Sequence, residues 1–391
     1  MEAVLALIVA GCGGASTGTA AASSAPVSAG AGGGATAAAT AAGSTATAGG
    51  GGGAEKRFFK IDVHTHFGPA AVERMVRLMD GHGIDVAVNL SGGSPERGLP
   101  EQLAAARAHP GRVVVFANLD WRLARTGPGW GARMADDLER SRRLGAVGLK
   151  IPKGLGLGYV DYTGALVRVD DPELDVVFER AATLAMPVAI HTGDPVAFWA
   201  PPTPDNERYE ELSAHPEWSF YGAAVPSWEE LFESLERRIA RHPRTTFISV
   251  HFGNAPEDPP RVAALLDRYP NLYVDTAARI PEIGRHPSAA LRALFLAHED
   301  RILFGTDLAV GATEDDVILG SSGREPPTPA DIERFFASTW RFFETRDAGF
   351  PHPTPIQGRW TISGIGLPAA ALRKVYGLNA ARLLALPAPP P

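Results

Sequence analysis

The chain of 391 residues holds a single cysteine, Cys12. No intrachain disulfide can form, so cysteine usage gives no reading of the redox compartment. Also missing is any stretch of about 18 uncharged apolar residues, the length a helix needs to cross a bilayer. Positive charge is scarce too. Lys and Arg number 37 against 44 Asp and Glu, for a formal net charge of −7. That balance offers no basic footprint for nucleic acid. No glycine-rich phosphate fingerprint follows the first predicted strand, which counts against an open dinucleotide-binding sheet. There is no charge block and no internal repeat.

Large side chains are absent from residues 13–54, which are almost wholly Gly, Ala, Ser and Thr. Such a tract has little to bury and reads as a flexible tether, spanning about 35 Å as a coil. Ahead of it, residues 1–12 are apolar and end in Val9-Ala10-Gly11-Cys12. That ending looks like a bacterial lipobox, with Cys12 as the lipidated first residue of an exported, membrane-anchored protein on the periplasmic or surface side. Glu2 stands where a signal peptide expects a basic residue. A chance cysteine in a cytoplasmic tail is the alternative. The expected organisation is a signal segment (1–12), a linker (13–54) and one catalytic domain (55–391), held at the membrane by lipid alone.

The domain is marked by apolar runs that end in ligand-type residues. They are Ile61-Asp62-Val63-His64-Thr65-His66, Val188-Ala189-Ile190-His191, Phe247-Ile248-Ser249-Val250-His251 and Ile302-Leu303-Phe304-Gly305-Thr306-Asp307. Each reads as a short buried strand. Side chains two apart on a strand face the same way, so His64 and His66 can reach one ion. Imidazole and carboxylate suit zinc, iron or manganese. The other seven histidines, at 82, 109, 215, 242, 286, 298 and 352, sit at predicted helix ends or in Pro-rich turns. They read as capping or surface residues.

Further strands are predicted at 86–90, 113–117, 146–151 and 272–276. Helices are predicted near 70–82, 100–109, 132–144, 172–185 and 228–241. Strand-helix alternation argues for a parallel sheet, and eight strands close a (β/α)8 TIM barrel of class α/β. Catalytic groups of such barrels come from the carboxyl ends of several strands. The loop after strand five carries Trp199, Tyr209, Trp218, Phe220 and Tyr221, and the loop after strand three Trp121 and Trp130. These rings could wall a pocket for an aromatic substrate, or simply pin the loops. Arg208 and Arg279 could hold a substrate carboxylate, or serve structural ion pairs.

The order H-x-H, His, His, Asp on strands one, five, six and eight resembles the amidohydrolase superfamily. Within it the chain is similar to the amidohydrolase-2 branch, which includes aminocarboxymuconate-semialdehyde decarboxylase and related decarboxylases and hydrolases. Leu303-Phe304-Gly305-Thr306-Asp307 and the terminal segment from Leu372 to Leu384 support that branch. The resemblance covers about residues 58–386. It implies one divalent ion held by His64, His66, His191 and Asp307, zinc being expected first and manganese or iron next. Lys150, at the end of strand four, would bridge a second ion only if carboxylated; otherwise it orients substrate or pairs with a carboxylate.

The chemistry expected first is hydrolysis of an amide, ester or lactone of a small molecule. Asp307 would take the proton of the attacking water and return it to the leaving group. His251 would hydrogen-bond the substrate carbonyl or the water. Decarboxylation of an aromatic or dienoic acid is the alternative from another enzyme class, and a non-catalytic binding lipoprotein the alternative outside enzymes. The substrate is expected to be aromatic or carboxylated, and the chain could form a homo-oligomer. In the native host the protein should fractionate with membranes, and Cys12→Ser should release it or block its processing. Mass spectrometry that finds an unlipidated chain beginning at Met1 rejects the lipoprotein reading.

Overall fold

The computed structural model describes residues 57–387. Cys12, the lipobox and the 13–54 linker lie outside the described residues. Eight strands follow one another as β1 (Ile61–Phe67), β2 (Val86–Asn89), β3 (Val113–Asn118), β4 (Gly148–Ile151), β5 (Val188–Ile190), β6 (Phe247–Ser249), β7 (Leu272–Asp275) and β8 (Ile302–Leu303). Each pairs in parallel with the next. Main helices are α1 (Val72–His82), α2 (Leu99–Arg107), α3 (Trp130–Leu144), α4 (Asp175–Thr183), α5 (Tyr209–Ala214), α6 (Trp228–Arg241), α7 (Pro259–Arg268), α8 (Ile280–Gly284), α9 (Ser288–Ala297) and α10 (Pro329–Glu344). The architecture is the expected TIM barrel. None of the helices is long and apolar enough to cross a membrane, among the described residues.

Strand eight departs from expectation. The apolar run to Asp307 reads as one strand, but regular pairing stops after Leu303 and resumes as β9 (Leu308–Val310), with Asp307 between them at φ 62. β8 pairs with β7, whereas β9 pairs in parallel with the upper half of β1. The reason is a buried carboxylate. Asp62 accepts hydrogen bonds from Thr306 N (3.0 Å), Thr306 Oγ1 (2.5 Å) and His64 N (3.1 Å). Those bonds draw the 304–307 segment out of strand geometry. They also close the barrel, with Val63 N donating to Phe304 O (3.0 Å) and Asp307 N to His64 O (2.9 Å). A hairpin to β10 (Val317–Leu319) then adds an antiparallel edge. The hairpin and α10 have no counterpart in the sequence reading.

Elsewhere the elements have local causes. Ser227 and Glu230 form a reciprocal capping box, and α6 spans the predicted 228–241. α1 ends at Gly83, whose φ of 72 costs a glycine little. Ile61, Val88, Phe116, Ala189, Ile248 and Leu303 come from six strands and form one buried cluster. Residues of six strands can meet that way only inside the barrel. A larger cluster joins the barrel wall to the helices through Trp130 and Leu138 of α3, Phe178 of α4 and Leu231 and Ile239 of α6.

Phe304 is fully buried, against Trp340 (5.3 Å between ring centroids) and Tyr376 (5.6 Å). Phe304→Ala leaves the closing backbone bonds in place and opens a void. It should cost about 3–5 kcal/mol of unfolding free energy in chemical denaturation. A loss under about 1 kcal/mol would contradict this packing.

Candidate metal centre

Strand ends deliver His64, His66 and Asp307 to one place, while His191 meets the ring of His251 rather than joining that trio. Asp307 Oδ1 lies 3.3 Å from both His64 Nε2 and His66 Nε2. The His251 ring stands 4.8 Å from that of His64 and 4.3 Å from that of His191, centroid to centroid. Lys150 Nζ is 3.3 Å from His64 Nε2. His64, His66 and Asp307 offer ligand atoms close enough to share one ion, and so do His64, His251 and Asp275.

Hydrogen bonds on the far side of the rings decide what the near side can do. His64 Nδ1 is 2.9 Å from Asp275 Oδ2. A carboxylate only accepts, so Nδ1 carries the proton and Nε2 presents a lone pair. His66 Nδ1 is held by Ser91 Oγ at 2.7 Å. His251 Nδ1 donates to the Ala277 carbonyl at 2.9 Å, so its Nε2 is an acceptor in the neutral ring. Burial, and then the Lys150 ammonium, hold His64 well below the ordinary imidazole range. Burial and the neighbouring His191 and Arg279 do the same to His251. Both rings are therefore neutral at pH 7.

Burial acts to raise the Asp307 carboxyl, yet the His64 and His66 rings bring it below its ordinary value. Asp275 is pushed up to about 6 by burial, against the pull of Lys150. Burial pushes Asp62 up to about 7, against its three hydrogen bonds. The His64 Nε2 lone pair and the Asp307 carboxylate oxygen thus face each other at 3.3 Å, with the Lys150 ammonium 3.3 Å from the same nitrogen. Two acceptors that close need a cation beside them: Lys150 is one, and His66 Nε2 completes a set of three ligand atoms for a divalent ion. The donor set fits a divalent ion, and the partners behind His64 and His66 are those that orient imidazole ligands.

The backbone is strained at the same place. His251 (φ 55), Phe252 (φ 54), Ala278 (φ 55) and Asp307 (φ 62) are left-handed non-glycine residues. Each costs of order 1–3 kcal/mol, and such residues cluster at functional sites. His251 is held there by its own N–H, which donates to Asp275 Oδ1 at 2.8 Å.

A cavity of about 60 Å³ opens beside the centre. One water needs ~10–15 Å³, so several fit. Its lining takes in His66, His191, His251 and Asp307 together with Lys153, Asp194, Phe198, Glu211, Trp218 and Arg279. The sequence-predicted substrate residues divide. Arg279 lines the cavity, with no carboxylate within ion-pair distance among the described residues. Arg208 does not line it. Fully buried, it pairs with Glu211 (2.6 Å) and Glu282, so the structural ion-pair alternative describes it. Trp199 is also outside the lining, packed on Phe220 at 4.5 Å with Nε1 donating to Pro226 O. Trp130 begins α3 in the core, and Tyr221 is 58% exposed. None of the seven remaining histidines lines the cavity. His242 and His298 follow the last residues of α6 and α9 as capping positions, but both are buried, and His352 is buried with Nε2 held by Gly358 O.

Sequence reasoning missed Asp275, Ser91, Lys153, Asp194 and Glu211. Asp275 ends the run Leu272-Tyr273-Val274-Asp275, the signature used for the other ligands, and that signal was available. Glu211 and Lys153 show none.

The family model for amidohydrolase, the amidohydrolase-2 family, matches residues 61–386. The chain belongs to this family. No curated protein matches it significantly. Among solved structures it is similar to 2,6-dihydroxybenzoate decarboxylase from Rhizobium, at 18% identity and TM-score 0.47, covering 84% of this chain and 99% of that one. It is similar to dihydroxybenzoic acid decarboxylase from Polaromonas sp. JS666 with bound manganese and 2-nitroresorcinol, at 16% identity and TM-score 0.49, covering 84% and 97%. A third is a probable 2-pyrone-4,6-dicarboxylic acid hydrolase from Acinetobacter baumannii with citric acid bound, at 12% identity and TM-score 0.44, covering 84% and 99%. Likenesses this distant leave the chemistry of this amidohydrolase to its own residues.

Arg208 supplies a stability prediction. Arg208→Ala strands Glu211 and Glu282 as buried, unpaired charges. The amidohydrolase domain should lose about 3–5 kcal/mol in denaturant unfolding. A neutral effect would show that Arg208 is not a structural charge partner.

Proposed function

We propose that this amidohydrolase is a metal-dependent hydrolase that cleaves an amide, ester or lactone bond of a small molecule. The observation that carries the metal is the meeting of the buried His64 Nε2 and His66 Nε2 with Asp307 Oδ1, which faces the cavity 3.3 Å from each. These residues, with His191 beside them, would hold one divalent ion, zinc first and manganese or iron next. A second ion needs a carboxylated Lys150. Bound there, a divalent ion polarises a carbonyl and lowers the pKa of water to about 7.

The protein's own groups supply the rest. Asp307 is ionised and faces the cavity, placed to take the proton of an attacking water and pass it to the leaving group. His251 supports hydrolysis in particular. Its Nε2 accepts rather than donates, so in the neutral ring it can hold a water's O–H but cannot stabilise a developing oxyanion. Of the two roles expected for His251, we assign it the water.

Decarboxylation is the second reading, and Arg279 is the observation that favours it. A buried guanidinium on the cavity wall suits a substrate carboxylate. A carboxylated ester or lactone would use it equally, and hydrolysis is the reading that also employs His251. An exported, lipid-anchored location through Cys12 remains part of the proposal, and an external substrate agrees with hydrolysis.

Asp307→Asn should lower turnover by about 10²–10⁴-fold with the fold intact by circular dichroism. Near-normal turnover rejects its role. Prolonged chelation should abolish activity, and a divalent ion should restore it. The reaction itself is tested with lactones, esters and amides beside hydroxybenzoates, following acid release and carbon dioxide. Metal-dependent carbon dioxide release without hydrolysis replaces the first reading with the second. Under either reading Arg279→Ala should raise KM for carboxylated substrates, and under hydrolysis it should leave uncharged esters, amides and lactones unaffected.

A further inference from the structure

The four imidazoles of the centre are not held alike. His64, His66 and His251 are held through Nδ1, by Asp275, Ser91 and the Ala277 carbonyl. His191 instead turns Nε2 toward Asp194 Oδ1, 3.7 Å away. The second oxygen of Asp194, Oδ2, lies 3.0 Å from Lys153 Nζ. That ammonium in turn stands 5.5 Å over the Trp218 ring. Lys153 and Asp194 side chains are each only 7% exposed. The pair joins two neighbouring loops, since Lys153 follows β4 and Asp194 follows β5.

A buried ion pair adds little net stability, because desolvation offsets most of the attraction. Stability is therefore a weak reason for Lys153 and Asp194 to be where they are. Their direction supplies a better one. Asp194 places a carboxylate beside an imidazole at the edge of the metal centre, at 3.7 Å a looser approach than the 2.9 Å hydrogen bond of Asp275 to His64 and one that a small turn of the ring closes. Carboxylates in that position fix the ring orientation of metal-binding histidines. Lys153 fixes the carboxylate from its other oxygen, with Nζ 3.0 Å from Oδ2 and both side chains buried.

We infer that Asp194, anchored by Lys153, is a positioning residue that orients the His191 ring for metal binding. The inference rests on the metal-centre reading above. Asp194 has no predicted contact with the reacting atoms, so its effect is read first as metal affinity.

The experiment measures Zn²⁺ and Mn²⁺ affinity of the full chain by competition with a chromophoric chelator. Wild type is compared with Asp194→Asn and with the double variant Lys153→Met/Asp194→Asn. Thermal melting of the metal-free proteins runs in parallel. Both variants should bind the ion about 10–100-fold more weakly. The metal-free double variant should melt near wild type, because it leaves no charge buried alone. Affinity within twofold of wild type in either variant overturns the inference. So does a double variant whose loss of affinity comes with a matching loss of metal-free stability, since that marks the pair as structural. Failure of the underlying reading looks different. Wild type then binds neither ion, His64→Ala changes nothing, and both readings fall.

Discussion

One buried carboxylate, Asp62, organises the rest of the structure. It accepts hydrogen bonds from Thr306 N and Thr306 Oγ1, which tie the last barrel strand to the first, and from His64 N within the first strand. Burying a carboxylate is expensive unless donors satisfy it, and here the donors come from both sides of the closing seam. Burial still pushes its pKa up to about 7, so the donors offset the penalty only in part. In return the seam acquires a fixed kink. Asp307 leaves the strand at positive φ and reaches His64 and His66, and β9 continues along β1 as though the strand had not been broken.

Around this seam the centre is organised by what lies behind the imidazoles. Asp275 serves two histidines, with Oδ2 at His64 Nδ1 and Oδ1 at the His251 backbone N–H. That one residue explains both the tautomer of His64 and the left-handed backbone of His251. Ser91 and the Ala277 carbonyl hold the rings of His66 and His251. Burial keeps His64 and His251 neutral, so lone pairs rather than protons are aimed inward. Ligand basicity, ring orientation and backbone strain are here consequences of a few oxygen atoms outside the centre.

The cavity wall away from the ligands is charged but largely self-paired. Lys153 meets Asp194, and Glu211 is paired by Arg208, which stands outside the lining and also meets Glu282. Ser321 donates to Glu211, and His215 Nε2 meets Ser322, so the excursion after β5 is laced to the segment after β10. Arg279 is the cation on this wall with no carboxylate at ion-pair distance among the described residues. It is therefore the group with charge to offer a substrate.

Strand order, barrel class and the residues His64, His66, His191, His251 and Asp307 were legible in the sequence. Each stands where a buried apolar run meets a loop, a pattern that is local and periodic. Asp275 carries the same signature, but the apolar run around it reads as a strand over 272–276, which places it inside the strand rather than at its end. The break in strand eight was not legible, because its cause is Asp62, some 244 residues away from Thr306. Nor could local pattern separate Arg208 from Arg279. Both are arginines in loops after strands, and only tertiary packing gave one two buried carboxylates and turned the other to the cavity. Secondary structure and ligand type follow from neighbours along the chain. Which charge is satisfied, and which is left to act, depends on residues that folding alone brings into contact.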